Sequence, residues 1–404
     1  TEEIPAAVAA ALAAALTPHR GPAFLDLPLE VVYSTVEAPP PRPAAVPVLE
    51  PDPEEVAKAA SLIAAAQRPV FVAGSDVYAG DAVASLREAA EALNVPVFAN
   101  GMGRGALPPE HPLAFARARR AALGGADVVV VVGTPLDFRL NFGDFGDAQV
   151  VHIVDSPQAR AGHVRPAAAP AGDLRLILSA LADWTGPRAD HSDWVATLRT
   201  AEQAAAEKHA AEMAADTEPI KPARVYGALR EVLDRDAVTV ADGGDFVSYA
   251  GRYLVPAVPG TWLDPGPYGC LGTGAGYAMG ARVAYPDRQV CVLMGDGAAG
   301  FSLMDAESLA RQRLPVVFVV GNNGVWGLEK HPMRAMYGYD VAADLQPGLR
   351  YDDVVRALGG AGETVTRPGD LVPALRRAFD AGVPYLVNVI TDPDDAYPRS
   401  SVLA

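Results

Sequence analysis

Two short turns carry the residues best suited to chemistry. Gly295-Asp296-Gly297 follows the apolar run Cys291-Val292-Leu293, and Gly321-Asn322-Asn323-Gly324 follows the apolar, β-branched run 314–320. Residues 302–313 between them read as a helix, so the stretch is one strand–helix–strand unit. In such a unit the two turns lie side by side at the carboxyl ends of neighbouring parallel strands. A carboxylate, an amide oxygen and a turn carbonyl are hard ligands, suited to Mg2+ that carries water and a diphosphate. The N–H groups of Gly297 and Ala298, at a helix start, are expected to be free for phosphate oxygens.

Other residues gain meaning from that pair. Asp242-Gly243-Gly244-Asp245-Phe246 ends a predicted strand over 237–241, and its glycines let backbone approach a diphosphate. In the stretch 266–278, glycines at 269, 272, 274 and 276 open a helix that must pack closely. Glu329 lies six residues after Asn323. In a water-poor cleft its carboxyl would have a raised pKa, fit for acid/base work; its plain alternatives are a salt bridge to Lys330 or Arg334, or a helix-start charge. His331 is a second acid/base candidate, and Pro332 after it hints at a turn. Asp155, closing a predicted strand over 150–155, either holds a ribose hydroxyl or is an ordinary polar strand end. Arg119, Arg120 and Arg139 are either phosphate ligands or surface charge.

The bulk properties frame these sites. At 404 residues, half of them hydrophobic, the chain suits two or three domains with sizeable cores. A net charge of −16 argues against nucleic-acid or anionic-membrane surfaces. Cys270 and Cys291 show no metal or disulfide spacing. No apolar run reaches membrane length and no leader is visible, so a cytoplasmic enzyme is expected. Strands alternate with helices: helix 53–66, strand 70–74, helix 81–93, and strands at 95–98, 126–133 and 150–155, then helix 222–233, strand 237–241, helices 350–358 and 370–381, and strand 385–390. The fold class is therefore α/β, with doubly wound parallel sheets. An amphipathic helix over 2–16 and a strand over 21–28 come first. A Pro-rich linker around Pro39-Pro40-Pro41 follows, and a polar helix over 194–214 reads as a surface connector.

The stretch from Met294 to His331 resembles the diphosphate-binding motif of thiamine diphosphate (ThDP) enzymes of the acetolactate synthase, oxalyl-CoA decarboxylase and 2-hydroxyacyl-CoA lyase group. The resemblance implies a C-terminal segment of a pyrimidine-binding domain at 1–36, a linker at 37–52, and a central nucleotide-binding-like domain at 53–185. A connector helix at 186–217 and a diphosphate-binding domain at 218–404 complete it. It implies Mg2+ held by Asp296, Asn323 and the Val325 carbonyl. ThDP would lie against Gly243, Gly244, Asp245, Phe246, Gly269, Leu271, Gly295, Gly297, Ala298, Asn323 and Val325. Leu271 would be the wedge that bends the cofactor. Segment 136–143 is closer to the CoA-using members than to acetolactate synthases, whose Arg-Phe-Asp-Asp-Arg run is missing; Arg119 and Asp155 would then face ADP, CoA or FAD.

The activity implied first is 2-hydroxyacyl-CoA lyase, giving formyl-CoA and an aldehyde or ketone, with the reverse condensation. An acetolactate synthase-like carboligase acting on pyruvate is the alternative, and a non-catalytic nucleotide-binding subunit a third reading. A homodimer or homotetramer is implied. So is a glutamate from the rest of the pyrimidine-binding domain, in the protein's own N-terminal part or a second subunit, without which the chain is not expected to turn over. The tail over 395–404 is read as a frayed terminus or a cover for the active site.

Overall fold

The computed structural model describes residues 2–37 and 46–397. The Pro-rich run at 38–45 and the tail from 398 lie outside the described residues. The chain divides into two compact units, one of Thr1–Val95 with Ala126–His191, the other of Pro96–Gly125 with Ser192–Ala404.

In the first unit β1 (Pro69–Ala73), β3 (Val128–Val132) and β4 (Gln149–Ile153) pair in parallel, Phe71 opposite Val130 and Val130 opposite Val151. β3 is five consecutive buried valines, as expected of a strand covered on both faces. The helix Pro53–Ala65 starts on a proline, and its cap Asp52 accepts the Glu54 N–H at 2.9 Å. It buries Val56, Ala60 and Ile63 at helical spacing. The N-terminal helix Ile4–Leu16 buries none of its residues. The strand expected over 21–28 is not formed: a strand needs a hydrogen-bonded neighbour, and this exposed stretch has none among the described residues.

The second unit begins with the short strand β2 (Val97–Ala99). It holds a six-stranded, wholly parallel sheet built from β5 (Val238–Asp242), β6 (Trp262–Leu263), β7 (Val290–Gly295), β8 (Val317–Asn322), β9 (Ala361–Val365) and β10 (Tyr385–Ile390). Their order is β6-β5-β7-β8-β10-β9. Side chains alternate between two cores. Val240, Val292, Phe318 and Leu386 pack on one side with Ala278. Ala241, Leu293, Val319 and Val387 pack on the other, with the helices Pro222–Val232 and Leu371–Asp380. Each valine, leucine or phenylalanine among them contributes about 1.5–3 kcal/mol on burial.

The polar helix Ser192–Ala214 is more than a surface connector. It buries Trp194, Leu198, Glu202, His209 and Met213 along one stripe. Glu202 accepts the amides of Ala116, Arg117 and Ala118 and pairs with the Arg117 guanidinium at 3.1 Å. A carboxylate and an imidazole on the buried stripe hide its apolar period from the sequence. Among the described residues no helix is long and apolar enough to cross a membrane.

Candidate active site

The carboxyl ends of β5, β7 and β8 are level: Asp242 pairs with Met294, and Gly295 with Gly321. A cavity of about 260 Å³ opens at this edge. Its walls are Gly243 to Phe246 after β5, Gly269 and Leu271 from the glycine-rich loop, Gly295 to Ala298 after β7, and Asn323, Val325 and Glu329 after β8. The parallel sheet thus brings together every predicted cofactor contact of the second unit. Three helices start on the cavity, Asp245–Tyr253, Asp296–Ser302 and Gly327–Tyr337. Their first turns present the positive ends of three helix dipoles to one space.

Asp296 is 3 % exposed. Burial pushes its carboxyl up to about 6, against the hydrogen bonds from Gly324 and Gly297 that favour the charged form. Those amides lie 2.6 Å from Oδ2 and 2.9 Å from Oδ1. No cationic side chain pairs with it among the described residues. A buried carboxylate at a convergence of ligands, lacking a positive partner, fits a divalent cation. The Gly297 amide, expected to be free for phosphate, is instead taken up by Asp296 itself, because a carboxylate at a helix start folds back on the next N–H. A side chain at Gly297 would meet the Trp326 ring at 2.5 Å.

Strand alternation separates the two asparagines. β8 runs through Asn322, so the second turn starts two residues later than expected. Asn322 is buried and donates to the Leu349 carbonyl at 2.9 Å and to Asn388 Oδ1 at 3.1 Å. Asn323 lines the cavity, and its Oδ1 accepts the Val325 N–H at 3.2 Å.

Glu329 lines the cavity from the first turn of Gly327–Tyr337, but it is exposed. The enclosure expected around it is not found among the described residues, because the first turn of this helix leaves the side chain exposed. Its suggested ion partners are engaged elsewhere, Lys330 with Asp344 and Arg334 with Asp340. His331 is half-buried, does not line the cavity, and its Nε2 has no hydrogen-bond partner among the described residues. Pro332 sits inside the helix rather than at a turn.

Arg119 starts the helix Arg119–Gly125 and donates to Asn100 Oδ1 at 2.8 Å. Arg120 is exposed, and Arg139 is paired with Asp137 at 2.8 Å. Asp155, in the first unit, lies just beyond β4 and is 3 % exposed. Neither of its oxygens accepts a hydrogen bond among the described residues, and His19 Nδ1 stands 3.5 Å from Oδ1. With Asp76, whose carboxyl burial and Asp155 push up to about 6, these groups bring their ligand atoms within 4.8 Å of one another. Tyr249 and Thr391 line the cavity without having been foreseen, and Trp326 and Asp395 line it beside them. Tyr249 donates to Asp395 Oδ1 at 2.7 Å and packs edge-on against Tyr397, so the chain end is held here rather than frayed as far as Tyr397.

Residues 242–389 match the family model of the C-terminal TPP binding domain of thiamine pyrophosphate enzymes, and residues 56–181 match that of their central domain. The chain belongs to the thiamine pyrophosphate enzymes. It is 50 % identical over 400 residues to a probable acetolactate synthase of Mycobacterium bovis and to the acetolactate synthase large subunit of Mycobacterium tuberculosis, over 98 % of this chain and 73 % of each of theirs. It is 32 % identical over 436 residues to the human 2-hydroxyacyl-CoA lyase 2, over 94 % of this chain and 68 % of that protein. Two parallel-sheet α/β domains and an activity of the carbon–carbon lyase and carboligase class follow, in place of a non-catalytic subunit.

Proposed function

We propose that the protein is a ThDP- and Mg2+-dependent carboligase of the acetolactate synthase type, condensing 2-oxo acids. The cavity at the edge of the parallel sheet, where a buried carboxylate and three helix starts converge, supports the cofactor reading. The higher identity to proteins named acetolactate synthase, 50 % against 32 %, favours the carboligase over the acyl-CoA lyase. The lyase stays a second reading because of segment 136–143, where Arg139 is bound to Asp137 within a tight turn.

When bound, ThDP supplies the electron sink for breaking and making a bond beside a carbonyl. The chain's own groups do the rest. Asp296, Asn323 and the Val325 carbonyl would hold Mg2+, and the helix starts at Asp245, Asp296 and Gly327 would bind the diphosphate. Leu271, half-buried against the core beneath the loop, would fix the cofactor's bend. Glu329 would exchange a proton between its carboxyl oxygen and the substrate hydroxyl, with His331 as the reserve. Within the first unit, the donor-free oxygens of Asp155 suit the hydroxyls of a nucleotide such as ADP, CoA or FAD; in the second unit, the guanidinium of Arg119 suits a phosphate. A homodimer or dimer of dimers, the commonest symmetric arrangements, fits a family whose cofactor sits between subunits.

The test is product formation with Mg2+ and ThDP by the full-length protein, pyrimidine-binding domain included. Acetolactate from pyruvate is expected. Formyl-CoA from a 2-hydroxyacyl-CoA, with no acetolactate, would move the assignment to the lyase. ThDP that fails to bind would end the cofactor reading.

A further inference from the structure

We infer that Asp242 is a positioning residue that shapes the cofactor's pyrimidine side of the cavity while touching no ligand; this rests on the ThDP reading above. Asp242 is the last residue of β5 and is 0 % exposed. It stands directly before Gly243 and Gly244 of the cavity wall, yet it is absent from the lining itself. Its carboxylate turns to the glycine-rich loop. Oδ1 accepts the Gly272 N–H at 3.0 Å and Oδ2 the Gly274 N–H at 2.7 Å. These amides follow Leu271, and both Gly269 and Leu271 line the cavity. One carboxylate therefore ties the loop that carries the wedge to the strand that carries the Gly243-Gly244 turn.

The loop is built to accept this tie. Gly272 has φ +88°, a conformation that side chains disfavour. A Cβ on Gly274 would stand 2.8 Å from Asp242 Oδ2 and 2.9 Å from Val292. The glycines thus let the backbone reach the buried acid. Only an ionised carboxylate accepts both amides without turning a proton toward one of them. Asparagine is the same shape but offers one oxygen and sets an N–H₂ against the second amide. Bonds to a charged group are strong, and losing one leaves a buried donor unpaired. Burial raises the Asp242 carboxyl, and the hydrogen bonds from Gly274 and Gly272 oppose that shift.

The experiment compares the wild-type chain with Asp242→Asn and Gly274→Ala. Binding of ThDP and of inorganic diphosphate, each with Mg2+, is measured by calorimetry, and amide exchange of residues 269–274 by mass spectrometry without ligand. In Asp242→Asn, ThDP affinity is expected to fall about tenfold and exchange to rise at least tenfold, with diphosphate affinity kept within about twofold. Gly274→Ala breaks the same tie from the loop side and carries the test if Asp242→Asn does not fold. The double variant should be little worse than either single one, as for two halves of one contact. Equal loss of ThDP and diphosphate affinity would overturn the proposal in favour of a general structural role, and so would unchanged exchange. If the wild type bound neither ligand, the cofactor reading would fall, while the exchange data would still decide whether Asp242 holds the loop.

Discussion

Replacing Asp296 by asparagine should separate stability from cofactor binding. In the metal-free protein the Asp296 carboxyl is raised from 3.8 to about 6, chiefly by burial. A raised carboxyl binds its proton more tightly in the folded state. Its contribution is therefore fully present below pH 3.8 and is lost as pH rises through 6. At 1.36 kcal/mol per pKa unit, the cost at neutral pH approaches about 3 kcal/mol, and about 2 kcal/mol of it develops between pH 4.5 and 7.5. Asparagine does not titrate. It also sets an N–H₂ against the amide of Gly297 or Gly324, a penalty of about 1–3 kcal/mol that is independent of pH. The stability difference between variant and wild type should then move by about 2 kcal/mol in the variant's favour over that range. Denaturant titrations of both metal-free proteins at the two pH values measure it, since all other groups cancel. Mg2+ with ThDP should raise the melting temperature of the wild type and leave the variant unmoved. A difference that did not change with pH would refute the burial argument, and a variant still stabilised by Mg2+ and ThDP would refute the metal assignment.

Glu329→Gln should leave melting and ThDP affinity nearly unchanged, since the side chain is exposed, and slow turnover ~10²–10⁴-fold in steady-state assays; near-wild-type rates would remove it from the chemistry. Gly297→Ala places a methyl against the Trp326 ring and should cost about 1–3 kcal/mol while weakening ThDP binding more than tenfold; calorimetry showing normal affinity would disprove the close fit. Asn322→Ala leaves the Leu349 carbonyl and Asn388 short of a donor and should cost about 1–3 kcal/mol with little change in ThDP affinity, whereas Asn323→Ala should do the reverse; thermal melts and ThDP titrations of the two variants would expose any swap of roles.

Much of this edge of the sheet was legible because parallel pairing is regular. Once 290–295 and 317–322 are neighbouring strands, the Asp296 and Asn323 turns must adjoin, and the glycine clusters at 243–244 and 269–272 mark the other approaches. Contacts made by side chains pointing away from the cavity were not legible. Asp242 read as part of a turn because nothing in its neighbours announces Gly272 and Gly274, thirty and thirty-two residues on. The buried place of Glu202 was not legible because a charged residue on a polar helix is normally outside, and its three amide donors lie more than eighty residues back. The surroundings of Glu329 were misjudged for a related reason: spacing fixes its distance along the chain from Asn323, but the start of the next helix decides which way it faces.

The adjacent asparagines are chemically identical, and the pleat alone assigns one to the dry interior and the other to the ligand space. A chain that kept a single asparagine at this corner would face competition between two destinations. The interior would win, because the buried Asn388 Oδ1 would otherwise lose its donor where water cannot replace it, while the cavity seat can be filled by solvent. Loss of the cavity-facing Asn323 would therefore be nearly silent to anything that reports folding and fatal to anything that reports catalysis. A motif that looks redundant on paper is, at this corner, two separate parts with no spare.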